Sequence, residues 1–366
     1  LDGQDFLLLE LNDSIFDPFP FMSFIVMDRA GDYLNNFLFP EGLKVRVKMG
    51  YVDEELEHDF YWSLLQVNQI EKNDSPSGQV INQFNSYFKY EDIIPYKVWK
   101  QKTIDEIIRN IMNNEFTIRK TKNTTKTVFT SPSKTRTNWY SGNLSYIEFI
   151  KTVLCKYSLS VDSFGQKRTY LPFFNLDREF HCQTIGDLFN QSVLKSLDNY
   201  TINFAGESST SNDKCVQDWN IQFIGYPFNG KLYNPDFHYY NYNKVKEKET
   251  HIENFNLGNS SDSLFPMIKE VNDIKLDSMY LGIFNKEDNL KALINYIHRN
   301  SSLQIRLTVS IHYNRDAQAG RLFKLTDVKT PDDKLNQLFV GEWLILSSKH
   351  TRKSITQTPG TFRETT

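Results

Sequence analysis

Hydrophobic and polar residues alternate in short runs at both ends of the chain and recur with helical spacing between them. Leu43, Val45, Val47 and Met49 share one face of an extended segment, and Lys44, Arg46 and Lys48 the other, which predicts a half-buried strand with a wet basic face. Phe21–Asp28, Phe60–Ile70 and Val80–Phe88 predict further strands, and Asp32–Phe37 a short helical or turn segment. Asn73-Asp-Ser-Pro-Ser-Gly78 is the turn cluster between the last two strands. Residues 1–95 therefore read as all-β.

Two compact helices follow. Thr103-Ile-Asp-Glu106 is a capping box ahead of Ile104, Ile107, Ile108 and Ile111, an i, i+3, i+4, i+7 stripe. Ser145-Tyr-Ile-Glu148 is a second box, and Ile147, Ile150, Leu154 and Tyr157 form its apolar face. Strand-like pieces at Phe116–Arg119 and Arg168–Phe174 make this region mixed α+β. Residues 205–216 read as a mobile loop, and 226–259 as loop-rich, with an Asn229-Gly230 turn and the solvated charge run Lys244–Glu249. Leu290, Leu293, Ile294 and Ile297 stripe a helix, after which Leu303–Ile311 alternates without a break and gives the clearest strand. Gly320–Leu325 and Glu342–His350 are strands, and the tail beyond Ile355 is polar.

The two ends resemble each other in order. Asp32–Phe37 precedes the strand Leu43–Met49 as the striped helix precedes Leu303–Ile311, and Tyr61-Trp-Ser-Leu-Leu-Gln-Val67 is similar to Glu342-Trp-Leu-Ile-Leu-Ser-Ser348. A duplication of this kind would make each half a small antiparallel barrel carrying a helix.

Composition narrows the function classes. The 28 Phe and 19 Tyr favour packed sheet surfaces and interfaces. A formal charge of −3 argues against a protein that lives by gripping phosphates. Cys155, Cys182 and Cys215 are too few and scattered for a disulfide framework, and Cys155 beside an apolar stripe reads as a buried, inert thiol. No apolar run of roughly 18 residues is present, so no helix is expected to span a membrane. The start at Leu1-Asp2-Gly3-Gln4 has no initiator Met, so the chain reads as a segment of something slightly longer.

Candidate chemistry is sparse. His58, His181, His238, His251, His298, His312 and His350 never take metal-ligand spacing, and HExxH, GxSxG, P-loop and GxGxxG motifs are absent. His312 and His350 lie at strand ends, where a hydrogen-bonded or solvent-facing ring is expected. No catalytic, cofactor-binding or metal-binding residue is assigned, and no cofactor. Carboxylates such as Asp53-Glu-Glu55 leave a wall-degrading glycosidase open, since acid/base pairs are set by spatial separation. Arg119, Lys120, Lys122, Lys126, Lys134 and Arg136 form a basic stretch without Asp or Glu; it reads as a solvated hairpin or as a face toward an acidic partner or passing DNA.

Three stretches together resemble the hub proteins of contractile injection systems, meaning tailed-phage baseplate hubs and the hub portion of type VI secretion spikes. They are Trp139–Tyr157, a helix after a polar turn; Asn285–Gly320, a helix and a long alternating strand, then a glycine opening the next strand; and Gly341–His350, a closing strand ending in His. The resemblance implies an α+β, mainly β fold with two similar antiparallel tube-type β-barrels and an α+β inserted region. The implied parts are a first barrel at 1–95, a connector at 96–198, a second barrel from 199–227 and 286–356, a loop-rich insertion at 228–285, and a flexible tail at 357–366. It further implies a non-enzymatic homotrimer in the virion tail baseplate, made in the host cytoplasm. Its six barrels would adapt a hexameric tail tube to a trimeric central spike, amid baseplate wedge proteins and around a lumen for transient DNA passage. No membrane insertion is implied. The alternatives are another tube-type tail protein, distal-tail or tail-tip, and the glycosidase.

Overall fold

The computed structural model describes residues 6–28, 44–47, 60–72, 80–88, 93–115, 125–133, 136–158, 160–161, 167–168, 170–203, 214–223, 234–240, 250–254, 275–280, 305–329, 339–353 and 364–365. Among these the chain forms 23 strands and three short α-helices, so the fold is mainly β. The predicted segments Asp32–Phe37 and Phe116–Arg119, the stripe Leu290–Ile297 and the charge run Lys244–Glu249 lie outside the described residues.

Nine strands make the main sheet. From the first third come β1 (Phe6–Ser14), β2 (Phe21–Asp28), β3 (Lys44–Val47), β4 (Phe60–Lys72) and β5 (Val80–Phe88). From the last come β15 (Asp218–Phe223), β19 (Ile305–His312), β22 (Ser347–Lys353) and β23 (Glu364–Thr365). Their order is β15-β19-β23-β22-β1-β2-β5-β4-β3. No closed barrel is present among the described residues. The sheet passes without a break from one end of the chain to the other, because β1 pairs antiparallel with β2 on one side and with β22 on the other. Seven registered residue pairs, Leu8↔Lys353 through Ser14↔Ser347, form that second seam.

The middle of the chain packs around a small sheet. β6 (Val98–Lys102) and β8 (Thr137–Tyr140) make a two-stranded ribbon. β7 (Thr127–Thr130), β11 (Leu171–Phe174) and β12 (Glu179–Gln183) form a three-stranded sheet with β12 central. β9 (Ser160–Val161) and β10 (Lys167–Arg168) form a short hairpin. α1 (Ile104–Asn110) continues into a π-helical turn over Ile111–Glu115, and α2 (Tyr146–Phe149) into another over Ile150–Leu154. The predicted stripe Ile104, Ile107, Ile108 and Ile111 is buried in full. Ser145 and Glu148 form the predicted capping box, whereas the Thr103 side chain makes no cap bond. Glu106 instead lies 2.9 Å from Arg136 and 3.4 Å from Lys102.

Both faces of the three-stranded sheet are covered. Phe180 and Cys182 of β12, with Phe174 and Val128, join the helix-side core with the Ile stripe, Phe149, Ile150 and Leu154. The opposite face carries Glu179 and His181, flanked in register by Phe129 and Phe173. There Leu171 and Phe173, with Leu188 of α3 (Ile185–Phe189), meet Ile15 from the turn after β1 and Ala319 from the loop after β19. Three distant parts of the chain thus share one apolar contact.

A third core lies at the C-terminal side, around β13 (Tyr200–Asn203), β14 (Cys215–Val216), β20 (Leu322–Lys329) and β21 (Gly341–Leu344), which form a sheet in the order β14-β13-β20-β21. A mainly apolar pocket of about 200 Å³ opens beside it, between Leu307, Val309, Phe323, Trp343 and Ile345. β16 (Asn234–Tyr240), β17 (Thr250–Asn254) and β18 (Lys275–Tyr280) make a separate sheet where loops were expected. Aromatic residues rather than Val and Ile carry β16, and its partner β18 is far away in sequence, so no local alternation announces the pairing.

Gly320 explains why a glycine opens the strand after β19. Its φ is +84°, and a Cβ there would lie 2.6 Å from Phe173 Cζ, so both conformation and space exclude a side chain. Gly320→Ala is expected to lower unfolding stability by about 2–4 kcal/mol, read from urea midpoints at unchanged slope.

Candidate functional site

The contact of the three parts is also where the charged groups converge. Asp13 sits near the end of β1, directly opposite Ser348 in the β1–β22 seam, and is buried. The Ala319 N–H donates to its Oδ1 and Oδ2 at 3.2 and 3.1 Å, and the Ser348 hydroxyl donates at 2.5 Å. The N–H groups of Leu176 and Ser348 donate as well. One carboxylate therefore binds the first strand, the β11–β12 turn and the C-terminal part together. Burial pushes its carboxyl up to about 6, against the pull of those donors.

The β11–β12 turn is built by Asn175. Its side-chain oxygen accepts from the N–H of Asp177 at 3.1 Å and of Glu179 at 3.0 Å, which holds Arg178 at φ +63°. Asp177 N–H also donates to the buried Gln318 side chain at 3.1 Å, and Gln318 in turn donates to Arg315 carbonyl at 2.9 Å. Arg315 reaches Asp177 at 3.3 Å. The β19–β20 loop is thereby fixed to the turn by side-chain hydrogen bonds and an ion pair.

Glu179 pairs with Arg321 across the same contact and accepts from the Asn175 amide at 2.8 Å. Burial works against its ionisation, but the His181 ring, the Arg321 guanidinium and the Asn175 amide outweigh it and hold the carboxyl at about 2. His181 Nε2 stands 3.8 Å from Glu179, too far for a direct bond, so Arg321 and Asn175 do most of this holding. The His181 ring is stacked between Phe129 and Phe173 with both centroids at 4.8 Å, and its Nδ1 lies 2.9 Å from the Gln183 side-chain oxygen.

The sequence-derived residues fall into place around this joint. His350 is buried and donates from Nε2 to the Ala317 carbonyl at 2.9 Å, edge-on to Tyr313. His312 is exposed against Gln217. Cys155 is buried in the helix-side core. Of the basic stretch only Lys126 and Arg136 lie among the described residues; Arg136 pairs with Glu106. Asp53–Glu55 lie outside them. Among the described residues no group of three His, Cys, Asp or Glu side chains could hold a metal ion. Sequence reasoning did not single out Asp13, Glu179 or Arg321. On the surface, Ile94, Tyr96, Val98 and Tyr140 expose 47–65% of their area along the β6–β8 ribbon, where Val98 and Tyr140 are register partners.

The two carboxylates respond oppositely to pH. Asp13, raised when folded, favours the fold most in acid and loses that contribution as pH rises through 6. Glu179, lowered when folded, contributes above its unfolded value of 4.5 and loses this as pH falls toward 2. Between pH 4.5 and 7.5, Asp13→Asn is expected to gain about 2 kcal/mol relative to the wild type, measured by urea unfolding at both values. Arg321→Met is expected to cost about 2–4 kcal/mol at pH 7 by stranding Glu179, and Glu179→Gln/Arg321→Met to cost clearly less than the sum of the single changes in a double-mutant cycle.

No protein-family model matches the sequence, and no curated protein does. Solved structures do match. A tail protein of Neisseria meningitidis MC58 aligns over 98% of this chain and 90% of its own at 10% identity, with a TM-score of 0.53. The 43 kDa tail protein of prophage MuSo2 from Shewanella oneidensis aligns over 98% and 92% at 9% identity, with a TM-score of 0.50. A component of the type VI secretion system of E. coli aligns over 99% and 72% at 9% identity, with a TM-score of 0.45. The first two matches carry the assignment, and they agree with the resemblance seen in the sequence: the chain has the fold of phage tail proteins.

Proposed function

We propose that this chain is a structural subunit of a contractile phage tail, the baseplate hub that joins the tail tube to the central spike. The observation that carries the reading is the fold shared with two tail proteins along 98% of the chain. The internal construction supports it. The joint consists of groups already engaged with one another, an arrangement suited to holding parts in place.

In this reading three copies form a ring. Each supplies two tube-type modules, residues 1–95 and 199–227 with 286–356, with 96–198 as connector, 228–285 as an insertion joining it and 357–366 as a tail. The β1–β22 seam supports the idea, since it already sets strands of the two modules edge to edge within one chain. Six similar modules around an axis would let a hexameric tube stack on a trimeric spike, with wedge proteins outside and DNA passing through the lumen. The exposed Tyr96, Val98 and Tyr140, with Ile94 just ahead of them, support a protein-covered surface at the start of the connector. The subunit acts by shape and performs no bond chemistry.

Mass photometry of the purified protein tests this. A species of about 129 kDa, three times the 43.0 kDa chain, is expected. A hexamer would favour a distal-tail subunit, and a strict monomer at micromolar concentration would remove the ring. Turbidity of a peptidoglycan suspension is expected to stay unchanged on addition of the protein; clearing would establish the glycosidase instead.

A further inference from the structure

Two thiols meet inside the helix-side core. The π-helical turn after α2 closes with the Cys155 N–H donating to the Ile150 carbonyl at 2.8 Å, an i to i−5 bond. This extra residue per turn rotates Cys155 inward from where an α-helix would place it, and only 5% of it is exposed. Cys182 faces it from the central strand β12 and is fully buried, beside Phe180 on the helix side of the sheet. The two sulfurs are 3.5 Å apart, and neither is joined in a disulfide. Cys215 belongs to β14 and contacts the Val216 carbonyl.

We propose that Cys155 and Cys182 are a redox modification site, closing into an intramolecular disulfide when the protein meets a hydroperoxide. Cys155, the more exposed thiol, reacts first. Its sulfur attacks one peroxide oxygen, the O–O bond breaks, water leaves, and a sulfenic acid forms. The Cys182 sulfur then attacks the Cys155 sulfur, the S–O bond breaks, and a second water leaves with the Cys182 proton. Two thiols and one hydrogen peroxide give one disulfide and two waters, with two electrons passing from sulfur to oxygen. Burial, and then the neighbouring Cys155, push the Cys182 thiol up, so closure is slow while the core stays shut. The bond would staple the end of the α2 segment to the strand whose other face carries Glu179 and His181, closing a span of 27 positions. This inference stands apart from the hub reading and uses only the connector.

The full chain, purified in reductant, is exchanged into hydrogen peroxide, blocked with N-ethylmaleimide in denaturant and digested without reduction. A Cys155–Cys182 linked peptide, two hydrogens lighter than the reduced pair, is expected, with Cys215 still alkylated. The melting temperature should rise by roughly 5 °C and fall back with dithiothreitol. Cys215→Ser should still form the link, whereas Cys182→Ala should lose both the link and the shift. Because the peptide is mapped in the unaltered protein, a poorly folding Cys182→Ala does not blunt the test. Recovery of both thiols in alkylated form, their conversion to sulfinic acids, or links only between chains would each overturn the proposal.

Discussion

A carboxylate enclosed by protein must be given donors or give up its charge, and Asp13 is enclosed completely. Its donors come from Leu176, Ala319 and Ser348, so the first strand cannot be satisfied until the middle and last parts of the chain are in place. That dependence organises the molecule. The turn after β1 delivers Ile15 to Leu171 and Phe173, the β19–β20 loop delivers Ala319, and Gly320 lets its backbone approach the Phe173 ring. The apolar contact alone would tolerate sliding; the hydrogen bonds around Asp13 and Gln318 fix one arrangement.

The second carboxylate completes this logic on the neighbouring face. Glu179 remains ionised because Arg321 and Asn175 compensate it, whereas Asp13 has hydrogen-bond donors and, among the described residues, no cation bonded to it. The same joint therefore contains one acid raised and one lowered; it loses the Glu179 contribution as pH falls below 4.5 and the Asp13 contribution as pH rises toward 6, so it is firmest where those two windows meet. Stacking of His181 between two phenylalanines ties that polar pair to the apolar sheet beneath it.

Much of the fold was legible in the chain wherever a periodicity had only one buried face. The Ile104–Ile111 stripe, the Ser145 box and the alternation ending at Ile311 each matched the structure because one side meets protein and the other is more exposed. The joint was not legible for the opposite reason. Glu179-Phe-His-Cys-Gln183 is covered on both faces, so its polar residues interrupt no pattern and point to no solvent side. Asp13 follows Asn12 and precedes Ser14, a composition that reads as a turn, and two of its partners, Ala319 and Ser348, lie over 300 positions away. The π-helical turns leave no sequence signal either, since Ile150–Leu154 suits an α-helix equally well. Low identity to the matching tail proteins fits this picture: a fold carried by apolar patterning and a few backbone constraints can persist after most side chains have changed.

The seam between β1 and β22 has a mechanical meaning. Its seven pairs are arranged side by side along two antiparallel strands. Tension applied along the strands loads every pair simultaneously, whereas peeling from one end would break them in succession. The Asp13–Ser348 pair lies next to the last pair of the seam, at the margin where peeling from that side would begin. The seam thus resists tension along its strands better than peeling across them, and the margin beside Ser14 is the one tied by the buried Asp13 side chain.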